Sequence, residues 1–453
     1  METQEKNEKK FSQSLTFKAL IVFALTLTLL IPQAMITGLI DERKERSEET
    51  IQIINEKWSN PQTICGPIIT VPYSVKITER ETVNKEIRTK TSYHHRQFRL
   101  TPSALNIDVK LFPEEKYYGI YKTTLYKSEL HISGNFDNLD EFEDFDGSSD
   151  NTPKHWNEAY ITIGISDLKG LVSSAEFTLN GKVYQAQADG SVDWFSGNTL
   201  KFPLKDFQKS EDGKNEFSCR ISLKGSKNIR FVPVGRTTSV DVSGKWSSPS
   251  FIGKFSPDKT IEKDSFSAKW YILHFNRNIP EALDSERIRN LDYDDSTFGV
   301  QLIETVGHYQ QNERSAKYAL MFIALTFVVF FFVEVLTKKK IHIIQYLLVG
   351  IALILFYSLL LSISEQIGFA LAYLIASLAT IGLISAYAYG IFKNVMQTGI
   401  LTLILGVLYI FLYVILQLED LALLIGSVGL FIILGIIMYL SRKINWNKEE
   451  SPE

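Results

Sequence analysis

The sequence predicts an integral membrane protein with six transmembrane α-helices, one N-terminal and five C-terminal, and a large, mainly antiparallel β domain between them. Three observations predict this fold class. Residues 318–440 contain five hydrophobic runs separated by short polar breaks, and each run is close to the ~20 residues that a helix needs to cross a bilayer. A sixth apolar run covers residues 19–40. Between them, residues 41–317 contain short stretches that alternate apolar and polar side chains, as β-strands do.

The five C-terminal runs have no charged residue in their central turns. Only helices and closed barrels satisfy their own backbone hydrogen bonds in lipid, so we interpret the runs as spanning helices rather than as buried helices of a soluble protein. They cover Tyr318–Leu336, Ile343–Ile363, Ile367–Tyr389, Thr398–Leu416 and Leu421–Leu440.

The N-terminal run could instead belong to a cleaved signal peptide. Such peptides have an apolar region of about 7–15 residues followed by a small-x-small cleavage site. The run from Ala19 to Ile40 is longer and passes Pro32-Gln33-Ala34 without a convincing cleavage pattern. We therefore predict an uncleaved transmembrane helix over 19–40, preceded by a polar N-terminus over 1–18.

Lysine and arginine in the short connections predict the orientation. If residues 1–18 are cytoplasmic, the connections that carry Lys338–Lys340 and Lys393 are cytoplasmic too, as is the tail 441–453. The opposite hairpins, Ser364-Glu365-Gln366 and Gln417-Leu418-Glu419-Asp420, contain no lysine or arginine. We therefore expect both termini in the cytoplasm and residues 41–317 outside it.

The outer segment is predicted to be an antiparallel sandwich. Asp41–Lys57 is rich in charge and could continue the first helix as a stalk. Asn180-Gly181 lies between two alternating stretches, and this pair tolerates the positive φ angles of a type I′ hairpin. Further strands are predicted before Ser133-Gly134-Asn135, interpreted as a turn, and before Ser166-Asp167. Residues 285–317 are predicted to be helical.

Composition and motifs favour a protein that is not an enzyme and needs no cofactor or metal. The net charge of −3 argues against nucleic acid as a partner. The acidic run 137–150 has only a fragment of an EF-hand loop and is interpreted as a surface loop. His94 and His95 are neighbours, which on a strand point to opposite faces and so do not readily share a metal. Nucleophile, zinc, phosphate-loop and dinucleotide motifs are absent from the sequence.

Two further sets of residues are candidates, one for a disulfide and one for helix packing. Cys65 and Cys219 both fall in the outer segment, where they could form a disulfide or remain two buried thiols. Gly368, Ala372, Ala376 and Thr380 recur every four residues and would place small side chains on one helix face, which allows close helix packing.

The remaining candidate functional residues are carboxylates near the helix ends. Glu334 lies four residues before Lys338, so we expect it to reach interfacial water or to pair with a lysine. Glu365, Glu419 and Asp420 lie in the outer hairpins and are predicted to dock the β domain or to meet lipid headgroups.

Several segments, in order along nearly the whole chain, carry a resemblance to a known family. The most specific are residues 341–379 and 412–431 in the helical block. The segments outside the block are QTICGPIITVPY (62–73) with Trp58, YGIYKTTLYKSEL (118–130), ISDLKG (165–170), PVG (233–235), WSSPSFIGKFSP (246–257) and residues 298–327. On these segments the chain resembles the CreD family, the cell-envelope integrity inner-membrane proteins of Gram-negative bacteria. Lys169 and Tyr118 stand where the family more often has arginine.

The resemblance implies a multi-pass inner membrane protein with residues 41–317 in the periplasm. It also implies a role in envelope integrity, tolerance to some colicins and control by a two-component system, but it brings no catalytic residue or ligand. Our leading interpretation is a non-enzymatic protein whose β domain binds an envelope partner, which could be protein, peptidoglycan or lipid. The alternative is a transporter or lipid-handling protein in which the helices carry the activity.

Overall fold

The computed structural model describes residues 15–83, 86–137, 139, 155–189, 195, 197–280, 282–284, 294–303, 307–337, 339, 341–418 and 421–442. The chain divides into two compact units. A helical unit contains Met1–Glu48 and Val306–Glu453, and a β unit contains Glu49–Thr305. Residues 307–317, at the end of the predicted outer segment, group with the helices.

Eight α-helices lie in the described residues. They are α1 (Leu15–Thr28), α2 (Leu30–Trp58), α3 (His308–Lys317), α4 (Ala319–Thr337), α5 (Ile343–Ile367), α6 (Phe369–Phe392), α7 (Val395–Gln417) and α8 (Ala422–Ser441). Five helices in this part of the chain are long and apolar enough to cross a membrane, with α1 and α2 taken as one. The number rises to six if α3 and α4, which meet at a bend of 49°, form one span.

Helices α1 and α2 are nearly continuous, with a single break at Leu29. Pro32 has no backbone N–H, so the carbonyl of Thr28 loses its helical hydrogen bond at this point. Helix α2 then continues through the charged segment to Trp58. The predicted helical stalk is therefore present.

The predicted hairpin after α5 lies two residues later than expected, because Ser364-Glu365-Gln366 form the last turn of α5. None of the three breaks a helix, and glutamate and glutamine are good helix formers. The chain turns instead at Gly368, whose φ of 82° is readily adopted only by glycine.

The β unit contains seventeen described strands in two sheets. They are β1 (Gln62–Val83), β2 (Glu86–Leu100), β3 (Ala104–Tyr118), β4 (Tyr121–Phe136), β5 (Tyr160–Ile165), β6 (Glu176–Leu179), β7 (Lys182–Gln185), β8 (Gln187–Asp189), β9 (Asn198–Pro203), β10 (Asn215–Ser226), β11 (Asn228–Phe231), β12 (Thr237–Gly244), β13 (Pro249–Gly253), β14 (Asp258–Ile261), β15 (Phe266–Leu273), β16 (Ala282–Asp284) and β17 (Phe298–Leu302).

Pairing within both sheets is mainly antiparallel. One sheet has the order β13-β17-β11-β1-β5-β9-β8, with β2 also paired to β1 and β16 to β2. The other has the order β14-β15-β12-β3-β4-β10-β6-β7. The two parallel pairs are β1 with β11 and β3 with β12.

One hydrophobic core lies between the two sheets. Phe177 of β6 packs on Phe202 of β9 with ring centroids 5.4 Å apart, and Trp270 of β15 packs on Phe298 of β17 at 5.3 Å. In each pair the rings come from different sheets. The predicted sandwich with an antiparallel character is therefore confirmed.

The hairpin predicted at Asn180-Gly181 is also confirmed. It joins β6 to β7, and the two turn residues have φ angles of 50° and 78°. Both angles are positive, as a type I′ turn requires.

Two other local predictions are wrong, one of them in part. Ser133-Gly134-Asn135 is not a turn but part of β4, in register with β3. A Cβ atom on Gly134 would lie 1.9 Å from the carbonyl oxygen of Ala104 and 2.8 Å from the ring of Phe217, so glycine here permits close approach of two strands. The prediction of helix over 285–317 is correct for His308–Lys317 and wrong for strand β17, while residues 285–293 and 304–306 lie outside the described residues.

We predict that Gly134→Ala destabilises the β unit by about 3 kcal/mol, because the added carbon overlaps backbone of the neighbouring strand. Thermal unfolding of the full chain followed by tryptophan fluorescence measures this, since Trp58, Trp156, Trp194, Trp246 and Trp270 fall within 49–305.

The matched control is Gly119→Ala, where nothing lies within 4 Å of the added carbon. Only the positive φ of 60° opposes this change, at about 1 kcal/mol. Equal losses for the two variants would contradict the packing role of Gly134.

Candidate functional site

Glu334 near the end of α4 is the centre of a buried polar cluster in the helical unit. The residue is only 8% exposed. Oε1 forms an ion pair with the ammonium group of Lys18 on α1 and accepts a hydrogen bond from the N–H of Ile341 at 3.0 Å. Oε2 accepts a hydrogen bond from the hydroxyl of Tyr346 at 2.9 Å. Three donors therefore hold the carboxylate in place.

This cluster joins α1 to α4 and to the start of α5. A carboxylate buried away from water is costly unless it is paired and hydrogen-bonded, and Glu334 meets both conditions. The lysine partner expected from the sequence exists, but it is Lys18, which lies 316 residues away along the chain. The arrangement acts as an anchor for the N-terminal helix.

A second set of polar contacts joins α2 to α3. The side-chain amide of Gln33 donates to the carbonyl of Ala316 at 3.4 Å. Lys44 forms an ion pair with Glu313 at 3.2 Å, and Lys317 forms one with the same carboxylate at 2.8 Å. The N-terminal helix is therefore attached to the later helices at two points along its length, at the Glu334 cluster and at α3.

Glu365, predicted to dock the β domain or to meet lipid headgroups, makes a hydrogen bond to α3. The hydroxyl of Tyr309 donates to its Oε1 at 3.0 Å, and the adjacent Ser364 accepts a hydrogen bond from the amide of Asn312 at 2.8 Å. Both contacts lie within the helical unit. Glu419 and Asp420, the other two candidates, lie outside the described residues.

The small residues of α6 occupy two different environments. Ala372, Ala376 and Thr380 are buried, and the Thr380 hydroxyl donates to the carbonyl of Ala376 at 2.9 Å. Gly368 is exposed and forms the turn between α5 and α6. The helix face predicted to pack therefore begins at Ala372.

The β unit contains a serine between two imidazole rings, which the sequence did not reveal. Ser74 Oγ lies 3.1 Å from Nδ1 of His95 and 3.1 Å from Nε2 of His155. Ser74 is buried, whereas His95 is exposed. Among the described residues no carboxylate hydrogen-bonds to either ring.

The two cysteines lie in different sheets and are not bonded. Cys65 is in β1 and Cys219 in β10, both are buried, and both are thiols in the structure. Burial raises the pKa of the Cys219 thiol to about 12. That side chain is therefore protonated at neutral pH and a poor nucleophile.

Within the described ranges, no group of three or more histidine, cysteine, aspartate or glutamate side chains could hold a metal ion. Most of the acidic run 137–150 lies outside those ranges.

The end of the β3–β4 hairpin exposes a group of aromatic side chains. The alternation of buried and exposed side chains in β3 ends at Leu111, and the side chains that follow are exposed or half-buried. Phe112, Tyr117 and Tyr118 expose 48%, 68% and 64% of their surface. Exposed aromatic residues are enriched at binding surfaces. We call residues 112–121 the aromatic hairpin end.

Comparison with known proteins identifies relatives of the whole chain. The family model described as "Inner membrane protein CreD" matches residues 14–447. The "Inner membrane protein CreD" of Escherichia coli (strain K12) is 31% identical over 447 residues, which cover 97% of this chain and 95% of the relative. The similarity therefore includes both the helical unit and the β unit.

We predict that Glu334→Leu lowers the free energy of unfolding by about 2–4 kcal/mol, because it leaves Lys18, Tyr346 and the N–H of Ile341 without their acceptor. Glu334→Gln keeps one acceptor oxygen and should cost less. Unfolding in detergent measures both.

A double-mutant cycle with Lys18→Met isolates the ion pair. The double variant should lose less stability than the sum of the two single variants. Strict additivity would contradict a direct contact between Lys18 and Glu334.

Proposed function

Since the chain belongs to the CreD family of inner membrane proteins, we propose that it is a non-enzymatic protein that supports cell-envelope integrity through its β unit. The helices hold the protein in the inner membrane. The β unit binds an envelope partner, whose chemistry is that of a protein, peptidoglycan or a lipid.

The proposed topology has six spans, both termini in the cytoplasm and the β unit in the periplasm. Its support is the distribution of basic residues among the helix connections. Lys339 lies between α4 and α5 and Lys393 between α6 and α7, at the same end of the helices as Lys18 and Arg442. The connection around Gly368, at the opposite end, has no basic residue.

The aromatic hairpin end is the observation that carries the binding proposal. Its three exposed rings lie beyond the last buried residue of β3, so they do not contribute to the sandwich core. Tyrosine combines a large apolar ring with a hydroxyl at low conformational cost, which suits it to contact with sugars, peptides or headgroups. Lys116 within it and Lys122 next to it pair with Glu114 and Glu115, so the rings are its main distinctive feature.

A second candidate function is transport or lipid handling by the helices. A groove between α6 and α7 favours it, because Ser385 and Thr402 meet there at 2.7 Å with Tyr389 and Thr398 nearby. The ion pair of Glu334 argues against this second function. In a proton-coupled transporter Glu334 would be the carboxylate that exchanges protons, but here its charge is already paired. Proton-driven uptake into proteoliposomes that is abolished by Glu334→Gln would favour this second function.

The proposed orientation predicts how single cysteines react when they are placed in a chain that carries Cys65→Ala and Cys219→Ala. Ser267→Cys, at an exposed site in β15, should react with a membrane-impermeant thiol reagent in spheroplasts. Lys393→Cys should react only after the membrane is permeabilised. The reverse pattern would overturn the proposed topology.

We predict that replacing Tyr117 and Tyr118 together by serine strongly reduces photo-crosslinking of the β unit to envelope components in intact cells. It should also lower complementation of a deletion strain. The rings are lost while the core is unchanged, so melting temperature should stay close to that of the wild type.

The matched control is Tyr271→Ser, since Tyr271 is also 68% exposed but lies on β15. It should leave crosslinking and complementation unchanged. Equal effects of the control and the double variant, or no effect of either, would contradict a binding role for the aromatic hairpin end.

A further inference from the structure

The aromatic hairpin end extends beyond the rest of its sheet at one end of the β unit. Strand β12 pairs with β3 as far as Leu111, and β10 pairs with β4 from Leu125 onwards. Among the described strands, β3 and β4 then pair only with each other, up to Tyr118 and Tyr121. The hairpin is therefore a two-stranded ribbon for four residue pairs past Leu125, which is ~13 Å at the rise of a β-strand.

The base of this ribbon lies beside both ends of the β unit's chain. The backbone N–H of Lys227 donates to the carbonyl of Thr124, and the N–H of Leu302, the last residue of β17, donates to the carbonyl of Lys227. The hydroxyl of Thr123 donates to Asn55 in the last turn of α2 at 3.2 Å. The chain therefore enters the β unit through α2 and leaves it through β17 at the end from which the aromatic hairpin extends.

The long hairpin of the other sheet extends at the opposite end. Strand β1 starts at Gln62, runs parallel to β11, and pairs with β5 as far as Thr70. Beyond Thr70 it continues with β2, where Tyr93 lies opposite Lys76. Tyr93 is 60% exposed, so each end of the β unit has an exposed tyrosine on a hairpin. Only the end with the aromatic hairpin also has the two connections to the helices.

The exposed rings lie on both faces of the ribbon. Successive side chains of a strand point to opposite faces, so Tyr117 faces away from Tyr118, and Phe112 shares the face of Tyr118. All three rings are about half exposed or more. A partner that docks on one face would leave the ring of the other face in water. The headgroup layer of a bilayer surrounds an inserted hairpin and contacts both faces.

The charges of the hairpin end balance. Residues 112–122 contain two glutamates and two lysines, and they pair as Lys116 with Glu114 at 3.0 Å and Lys122 with Glu115 at 2.6 Å. Anionic headgroups therefore neither attract nor repel the ribbon strongly. Contact with a lipid surface then depends on the rings.

We propose that the aromatic hairpin end inserts its rings into the headgroup layer of the bilayer that holds the helices of this chain. This inference rests on the proposed function, and it makes a phospholipid surface the partner of the hairpin end. Tyrosine has an apolar ring and a polar hydroxyl, and it is enriched at the level of the headgroups in membrane proteins. The chain on both sides of the β unit leads to apolar helices, which tether this end, rather than the end with Tyr93, to the membrane.

The test uses the full chain with Cys65→Ala and Cys219→Ala in nanodiscs of phosphatidylcholine and phosphatidylglycerol. A nitroxide label on Ile120→Cys reports on the turn of the aromatic hairpin while all three rings remain. A label on Tyr93→Cys reports on the opposite end. Collisions with oxygen, which concentrates in lipid, and with a water-soluble nickel chelate measure the depth of each label. We expect an oxygen-to-nickel collision ratio several-fold higher at position 120 than at position 93.

Replacing Tyr117 and Tyr118 together by serine in the Ile120→Cys chain should lower this ratio to that of position 93, because the rings that hold the hairpin in the lipid are lost. The matched control is Tyr271→Ser, which removes a tyrosine that is as exposed as Tyr117 but lies on β15. It should leave the ratio at position 120 unchanged.

Equal ratios at positions 120 and 93 would overturn lipid insertion, as would a high ratio that the double serine variant retains. Equal ratios combined with loss of crosslinking to protein or peptidoglycan in that variant would overturn the lipid partner and leave the proposed binding function in place. A high ratio that depends on the two tyrosines would support lipid insertion even if the double variant complements fully, and that complementation would contradict the proposed function alone.

Discussion

The pairing of the N-terminal helix with helices near the other end of the chain is the constraint on which the helical unit depends. Lys18 meets Glu334 and Gln33 meets Ala316, across 316 and 283 residues of sequence. The β unit is inserted in the sequence between these two segments. Burial of Glu334 makes the register specific, because a shift of α1 would leave a charged group unpaired away from water.

The helices and the hairpin that were predicted correctly depend on interactions between residues close together in sequence. The apolar helices α4–α8 follow from run length and from the need to satisfy backbone hydrogen bonds in lipid, and each ends within a few residues of its predicted bounds. The Asn180-Gly181 hairpin follows from the positive φ angles that this pair adopts. Both features depend on residues close together in sequence, so neither requires knowledge of tertiary packing.

Features that depend on distant contacts were predicted poorly. Gly134 was interpreted as a turn residue, but it lies inside a strand where Ala104 and Phe217 leave no room for a side chain. Glu334 was expected to reach interfacial water or to pair with a lysine, and it pairs with Lys18, which the sequence did not identify as the partner. The approach of His95 and His155 to Ser74 joins separate strands and loops. In each case the partner is set by tertiary packing.

The attachment of the N-terminal helix to the later helices is tested most directly by crosslinking Gln33→Cys to Ala316→Cys, in a chain with Cys65→Ala and Cys219→Ala. A short bifunctional thiol reagent should join the two positions in membranes, so that proteolysis within the β unit leaves both ends in one product. Pairing Gln33→Cys with Met438→Cys on the exposed helix α8 should give no such product. Separate fragments from the first pair, or equal crosslinking of both pairs, would contradict the account.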